Sequence, residues 1–217
     1  MGTEFNKLFD EWSEHYDQTV TGHDEQYKEV FDRYDDILNA VAVRASGTVV
    51  EFGVGTGNLT EKLLAKGLRV YGIEPSAGMR AQFGKRELTA TLLEGDFIHY
   101  PAIEEPIDTI VSTYAFHHLT DEEKGLAIAQ YAAWLGDGGK IVFADTAFQD
   151  EAARHSIETA AEAAGYMELL NDLRTEYYTT LNVLESLFEA HGFYVSFHSL
   201  NRYVWLMEAV KVKSVGS

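Results

Sequence analysis

Short runs of apolar, often β-branched residues alternate with helix-like segments through the middle of the chain. The spacing of apolar positions predicts helices between most of these runs. Strands that alternate with helices favour a doubly wound α/β fold with a mainly parallel sheet. The runs are continuous rather than alternating, which is typical of strands covered on both faces. The predicted strands are 48–52, 69–73, 91–93, 108–113 and 140–144, and the predicted helices are 58–66, 76–85 and 121–135.

A segment with helical periodicity precedes the first predicted strand. From Asp24 onward, apolar residues recur every three or four positions, which predicts an amphipathic helix. Its apolar positions are Tyr27, Val30, Phe31, Tyr34, Ile37, Leu38, Val41 and Ala42.

The last third of the chain departs from the alternation. Residues 148–176 form a helical stretch that is longer than a normal crossover, and a further helix is predicted over 181–191. Two strands follow, at about 193–199 and 202–210, with only two residues between them. So short a connection predicts an antiparallel hairpin.

Local signals mark the ends of two helices. Asn58, with Glu61 three residues later, is predicted to cap the helix after the first strand, and Gly67 is predicted to end that helix. Thr120 and Glu123 have the spacing of a capping box for the helix that follows them.

Composition and charge narrow the classes of function. The chain has 217 residues, with 17 basic against 35 acidic side chains and a net charge of −18. Nucleic acids and anionic membranes are disfavoured as partners, because affinity for both comes from Lys and Arg. The absence of cysteine excludes disulfides, thiolate metal sites and thiol nucleophiles. No signal-peptide pattern and no apolar run near the roughly 20 residues of a membrane helix is present, so a cytoplasmic location is expected.

Three glycines follow the first predicted strand, in the sequence EFGVGTG at 51–57. Glycines at the carboxyl end of a strand allow a ligand to approach the main chain, and the next helix directs N–H groups toward that ligand. A dinucleotide fingerprint has the spacing G-x-G-x-x-G. Gly53 and Gly55 fit that spacing, but the last position is Asn58. The pattern is instead E-x-G-x-G-x-G, completed by Glu51 and Gly57.

This pattern resembles motif I of the Rossmann-like S-adenosylmethionine-dependent methyltransferases. The resemblance implies a seven-stranded, mostly parallel sheet with an antiparallel last strand, and S-adenosylmethionine as cofactor. It also implies that Glu51, Gly53, Gly55 and Gly57 surround the methionine part of the cofactor. A carboxylate such as Glu51 suits the ammonium and sulfonium of that ligand, and it would repel a pyrophosphate.

Other segments match the family in order and spacing. In YGIEPSAGM (71–79) the resemblance places Glu74 on the ribose hydroxyls, with Pro75, Ser76 and Met79 beside the adenine. In EGDF (94–97) it places Asp96 on the adenine amino group and Phe97 against the ring. The remaining cofactor positions that it implies are Ser112 and Tyr114, in DTIVSTYAFHHL (108–119), and Tyr16 in an N-terminal cap.

The resemblance covers about residues 10–211 and suggests how the chain is organised. It implies a single methyltransferase domain over 1–217, with a helical cap (1–46), a cofactor-binding core (47–147), a helical lid (148–190) and a C-terminal hairpin (191–217). The aromatic residues of cap and lid suit a closed pocket for a small-molecule acceptor, although they equally suit an ordinary helix core. The chain also resembles a group of small methyltransferases of Gram-positive bacteria, and this resemblance implies a link to sulfur-amino-acid recycling.

Catalytic residues are harder to predict, because transfer of an activated methyl needs alignment more than a fixed set of side chains. His117 and His118 are the candidates, either as a base or as local packing. If residues 114–119 form an extended loop, at most one of the two should face the methyl. Asp145 is interpreted as a helix cap or a substrate-orienting group. No metal cluster is predicted.

Two alternatives remain open at this point. A non-catalytic protein that senses S-adenosylmethionine or its demethylated product would have the same motifs. An NAD-dependent oxidoreductase is disfavoured by Asn58 at the third fingerprint position and by Glu51. The acceptor atom, whether O, N, S or C, and the oligomeric state are not encoded in these patterns.

Overall fold

A seven-stranded sheet organises residues 24–213, the part of the chain that the computed structural model describes. The strand order is β3-β2-β1-β4-β5-β7-β6, and β7 runs antiparallel to both of its neighbours. The predicted Rossmann-like fold, with its antiparallel last strand, is therefore confirmed. The strands are β1 (Thr48–Phe52), β2 (Arg69–Glu74), β3 (Thr91–Glu94), β4 (Thr109–Thr113), β5 (Lys140–Thr146), β6 (Phe193–Ser199) and β7 (Val204–Lys211).

Helices cover both faces of this sheet. They are α1 (Tyr34–Ala42), α2 (Asn58–Ala65), α3 (Ala77–Gly84), α4 (Asp121–Trp134), α5 (Glu151–Ala164), α6 (Met167–Thr175) and α7 (Leu181–Ala190), together with a 3-10 turn at Phe116–His118. Successive residues of β1 point into different cores: Val49 packs with α1 and α2, whereas Val50 packs with α4 and α7. This two-sided burial explains the continuous apolar runs in the sequence. No helix within residues 24–213 has both the length and the apolar character needed to cross a bilayer.

The strand order changes direction at β1, which has β2 on one side and β4 on the other, both parallel to it. In a doubly wound sheet the carboxyl ends of such strands border a crevice where ligands bind. The loops that follow β1, β2 and β4 therefore meet at one edge of the sheet.

The predicted helix from Asp24 begins ten residues late, at Tyr34. Residues 24–33 form turns, and Arg33 adopts a left-handed backbone with φ 60°. The reason is a distant side chain: the Asn201 amide donates to the carbonyls of Val30 and Asp32, both at 3.0 Å. Those carbonyls would otherwise accept bonds from the next helical turn.

Two further differences have local causes. Asn58 is the first residue of α2 rather than its cap; the cap is Gly57, and the Asn58 side chain instead accepts a bond from Arg86 at 2.7 Å. The stretch 148–176 divides into α5 and α6 at Gly165, whose φ of 75° favours glycine.

Other local predictions are confirmed. Gly67 follows α2 with φ 74°, and Thr120 and Glu123 form the capping box of α4. The C-terminal strands form the predicted hairpin. Its connection is longer than predicted, because the Asn201 side chain accepts bonds from the N–H groups of Tyr203 and Val204 and holds the turn open.

Candidate active site

The loop after β1 places its three glycines in left-handed backbone conformations, and their surroundings differ. A Cβ at Gly53 would lie 2.6 Å from the Cβ of Ala115, and one at Gly57 would lie 2.8 Å from the Phe83 ring. A Cβ at Gly55 would meet nothing within 4 Å. Packing therefore requires Gly53 and Gly57 to be glycines, whereas the bare backbone at Gly55 borders open space that a ligand can fill.

Glu74, at the end of β2, holds this loop in place. One carboxylate oxygen accepts from the N–H of Gly55 and the other accepts from the N–H of Ser76, both at 2.9 Å. The side chain is buried, with 4% exposure, and it lines the same space as Gly55. The carboxylate is thus oriented before any ligand arrives.

A narrow cleft, called here the glycine cleft, opens beside these groups. Asp96 lies on its far wall, where one oxygen accepts from the N–H groups of Ile98 and His99 at 2.8 Å each. Most of the predicted cofactor residues meet there. The lining residues are Gly53, Gly55, Glu74, Pro75, Met79, Asp96, Phe97, Thr113, Tyr114, Ala115 and His118.

Five predicted cofactor residues are absent from this lining, and one of them is Ser76, whose hydroxyl caps α3 by accepting from the N–H of Met79. Glu51 borders a small neighbouring cavity with Gly53 and Gly55, where it accepts from the Thr60 hydroxyl at 2.6 Å. Gly57 packs against Phe83, and Ser112 is buried below the loop. Tyr16 lies outside the described residues.

Two buried polar groups beneath the loop suit a cationic ligand. Burial raises the pKa of Glu51 to about 8, and the Thr60 hydroxyl opposes this shift. The Ser112 hydroxyl, with 1% exposure, has no hydrogen-bond partner within the described part of the chain. A buried polar atom without a partner is unfavourable, so this position favours a ligand that can supply one. The residues present therefore fit a sulfonium amino-acid cofactor with ribose hydroxyls.

Tyr114 separates the glycine cleft from a second space. Its φ of 54° is unusual for a bulky residue, and such strain concentrates at functional sites. The ring packs against Phe31 and Tyr34, with centroids at 5.1 and 5.6 Å. Residues 24–33 thereby contact the end of β4.

The second space, called here the large cavity, has a volume of about 550 Å³. It lies between residues 24–33, the loop after β4 and helix α6. Tyr114 and His118 line it as well as the glycine cleft. The other lining residues are Tyr27, Val30, Phe31, His117, Thr146, Met167, Glu168, Leu169, Asn171, Asp172, Leu173, Glu176, Tyr178 and Tyr203.

The loop with the two histidines contains a 3-10 turn, so the condition of an extended loop, on which their opposite orientation depended, is not met. Asp145 accounts for this turn, because its carboxylate accepts from the backbone N–H of His117 at 2.9 Å and contacts Nδ1 of the same residue at 2.6 Å. Asp145 is therefore not a helix cap; Asp150 caps α5. Both histidines line the large cavity, and only His118 also lines the glycine cleft.

The two imidazoles have opposite electrostatic environments. Burial alone would lower the pKa of His117, but Asp145 and Glu176 outweigh it and raise the pKa to about 10. Nε2 of His117 lies 2.9 Å from the Glu176 carboxylate. Burial and the neighbouring charge of His117 lower the pKa of His118 to about 3. At neutral pH His117 is an imidazolium between two carboxylates, and His118 is neutral.

Sequence patterns gave no indication of Glu176, which follows α6 and lies far along the chain from the histidines. Lys124 positions it, because its ammonium donates to the carbonyls of Leu119 and Tyr177 at 2.6 Å each. Donor atoms of His117, His118 and Glu176 lie within 4.8 Å of one another, a spacing that could also hold a metal ion. Local spacing in the sequence did not indicate this group, because a long-range contact forms it, and the absence of a metal site stays a prediction.

Sequence comparison finds relatives that align with nearly the whole chain. The profile of the methyltransferase domain family matches residues 49–139, from β1 to the residue before β5. An uncharacterized methyltransferase from Geobacillus thermodenitrificans is 59% identical over 216 residues, and the match covers 97% of this chain and 99% of that protein. One from Bacillus cytotoxicus is 56% identical over 213 residues, with 97% and 100% covered.

Solved structures share the fold at low sequence identity. The magnesium protoporphyrin IX methyltransferase of Synechocystis PCC 6803 with bound SAH has a TM-score of 0.71 at 16% identity, over 96% of this chain and 99% of that one. The DhpI–SAH complex has a TM-score of 0.68 at 19% identity, over 96% of each chain. At such low identity these structures show a shared fold alone, so the acceptor has to be inferred from the site itself.

Proposed function

The chain belongs to the S-adenosylmethionine-dependent methyltransferases, and we propose that it transfers the methyl group to a small molecule held in the large cavity. One observation supports this most directly: the glycine cleft and the large cavity share Tyr114 and His118 as a common wall. A cofactor in the cleft and an acceptor in the cavity would meet at these two side chains.

The glycine cleft offers a distinct group for each part of the cofactor. We assign Glu74 to the ribose hydroxyls, since its oxygens are fixed at the cleft by Gly55 and Ser76. Met79 and Phe97 would sandwich the adenine, with the Asp96 carboxylate at its edge. Glu51 and the Ser112 hydroxyl would face the amino-acid part. These assignments follow the family's motifs and the cleft's walls.

The cofactor supplies a methyl group already activated by its sulfonium, so the chain chiefly aligns the acceptor in line with it and excludes water. A cavity of about 550 Å³ walled by helices and rings suits a small acceptor rather than a macromolecule. Residues 24–33 and α6 form two of its walls, which supports the role proposed for segments 1–46 and 148–190 as cap and lid of a single domain.

Binding of S-adenosylmethionine and of S-adenosylhomocysteine should each raise the melting temperature, whereas NAD should not. A ligand at about 100 times its dissociation constant adds about 2.7 kcal/mol of stability. For a chain of this size, that corresponds to roughly 5–10 °C. Thermal melts with each ligand measure the shifts, and a larger shift with NAD would reject S-adenosylmethionine as the cofactor.

Release of S-adenosylhomocysteine with a panel of small acceptors distinguishes a catalyst from a sensor. Stabilisation by the cofactor without turnover of any acceptor would favour the sensor.

Glu51→Gln should stabilise the free protein and weaken its binding of the cofactor. The pKa of Glu51 is raised from its usual 4.5 to about 8 in the folded chain. Between these values the unfolded chain has released the proton that the folded chain keeps, so wild-type stability falls as pH rises through this window. Glutamine does not titrate, and the variant's advantage should grow toward pH 8.

Binding of the cofactor to wild-type protein should conversely release protons near pH 7, if an ionised Glu51 pairs with the cofactor's ammonium. Titration calorimetry in two buffers of different ionisation enthalpy measures this release. Equal cofactor affinity in wild type and Glu51→Gln at pH 8 would remove Glu51 from the binding site.

Two finer expectations stay predictions. The link to sulfur-amino-acid recycling rests on the resemblance, and a comparison of metabolites between a deletion strain and its parent would test it. A cytoplasmic location is the second, and cell fractionation would test it.

A further inference from the structure

We infer that the large cavity recognises an acceptor with a cationic amine, held by Asp172 and Glu168 of α6 against a set of aromatic rings. This inference rests on the proposed function and names the class of substrate for that same site. It comes from the charges and rings that line the cavity.

The charged residues on the cavity wall are almost all acidic. Glu168, Asp172 and Glu176 are spaced by four residues, so one face of α6 and its end directs three carboxylates toward the cavity. No Lys or Arg lies among the described lining residues. A carboxylate or phosphate acceptor would be repelled by such a wall, whereas a cation would be attracted.

Two of these three carboxylates lack a compensating charge. Glu176 is paired with the His117 imidazolium. Asp172 accepts instead from the neutral Tyr27 hydroxyl, and Glu168 accepts from the Gln26 amide at 3.3 Å. Neither forms an ion pair with any residue in 24–213. Their charge is therefore available to a ligand.

Aromatic rings supply the second requirement for binding a cation. The face of an aromatic ring attracts an ammonium group, and several rings around one site act together. Tyr178 stacks on the His117 imidazole at 4.8 Å, and Tyr114 packs against Phe31, so these rings are held in place by their neighbours. The rings on the cavity wall are Tyr27, Phe31, Tyr114, Tyr178 and Tyr203.

Three probes of matched size test the inference: 2-phenylethylamine, 2-phenylethanol and 3-phenylpropanoate, each titrated calorimetrically into protein saturated with S-adenosylhomocysteine. We expect the amine to bind at least tenfold more tightly than the alcohol, because the ammonium adds a charge–charge attraction to the carboxylates that the neutral hydroxyl lacks. The carboxylate should bind most weakly. Equal or weaker binding of the amine, or no binding by any probe, would overturn the inference.

Asp172→Asn keeps the shape of the side chain and an acceptor for Tyr27, but it removes the charge. It should reduce the preference for amine over alcohol by about tenfold. The matched control is Glu185→Gln, which removes one charge from an exposed position on α7 outside both cavities; its preference should equal that of wild type. An unchanged preference in Asp172→Asn would also overturn the inference.

The titration with S-adenosylhomocysteine separates this inference from the proposed function. If S-adenosylhomocysteine does not bind, the proposed function fails. If it binds and the amine shows no preference, only the acceptor class is wrong.

Discussion

Glu74→Ala should weaken S-adenosylmethionine binding by about tenfold to a hundredfold while the chain still folds. In the proposed function this carboxylate accepts bonds from the two ribose hydroxyls, and such charge-assisted bonds contribute about 1.5–3 kcal/mol before water compensates for their loss. The variant also removes the acceptor for the N–H groups of Gly55 and Ser76, so the glycine loop loses the two hydrogen bonds that hold it in place. Titration calorimetry measures the affinity, and circular dichroism verifies the fold.

Glu94→Ala is the matched control for this variant. Glu94 pairs with Glu74 in the register between β2 and β3, but it is exposed, contacts Arg80 and does not line the glycine cleft. Its loss should leave the affinity within a factor of about two, as expected for an exposed ion pair. Glu74→Gln adds a second comparison, because it keeps one acceptor oxygen for the loop. Unchanged affinity in a folded Glu74→Ala protein would contradict the ribose assignment.

The sequence predicted the sheet well because each strand is encoded locally. β1, β4 and β5 are buried on both faces, and two-sided burial produces the continuous apolar runs that identify them. The start of α1 was not predictable in the same way. Apolar spacing continues through residues 24–33, but the Asn201 side chain takes the carbonyls that would extend the helix. Hydrogen bonds from a residue far away in the sequence therefore prevent the helix that the local apolar spacing predicted.

The site also contains residues that the sequence predicted and residues that it did not. Gly55 and Asp96 follow strands and Glu74 ends one. Parallel strands bring their carboxyl ends to one edge, so the strand pattern and the family resemblance together predicted that these residues meet. The acidic wall of the large cavity was not predicted. Asp172 and Glu176 lie at the end of an exposed-looking helical stretch, and only tertiary packing, through Lys124 and Tyr177, brings them beside His117. Acidic residues in such a stretch are usually solvated, and no local signal distinguishes these two.

The two adjacent histidines should respond to substitution in opposite ways. His117→Ala should destabilise the fold by about 3–5 kcal/mol, because it leaves the Asp145 and Glu176 carboxylates buried without their cation. For a chain of this length, the melting temperature should fall by roughly 6–20 °C. Asp145→Asn tests the same ion pair from the other partner, and it should also destabilise the fold even if His117→Ala is too unstable to purify.

His118→Ala should instead lower turnover, since this imidazole borders both the glycine cleft and the large cavity. We expect a loss of about a hundredfold, the lower end of what a positioned base contributes, because a pKa lowered to about 3 makes His118 a weak base. Removing a neutral imidazole leaves the ion pair of His117 intact, so stability should change less than in His117→Ala. Release of S-adenosylhomocysteine measures turnover, and thermal melts measure stability. If His118→Ala has normal turnover, catalysis depends on the alignment of acceptor and cofactor alone. If His117→Ala and Asp145→Asn both keep the wild-type melting temperature, the buried ion pair does not stabilise the fold.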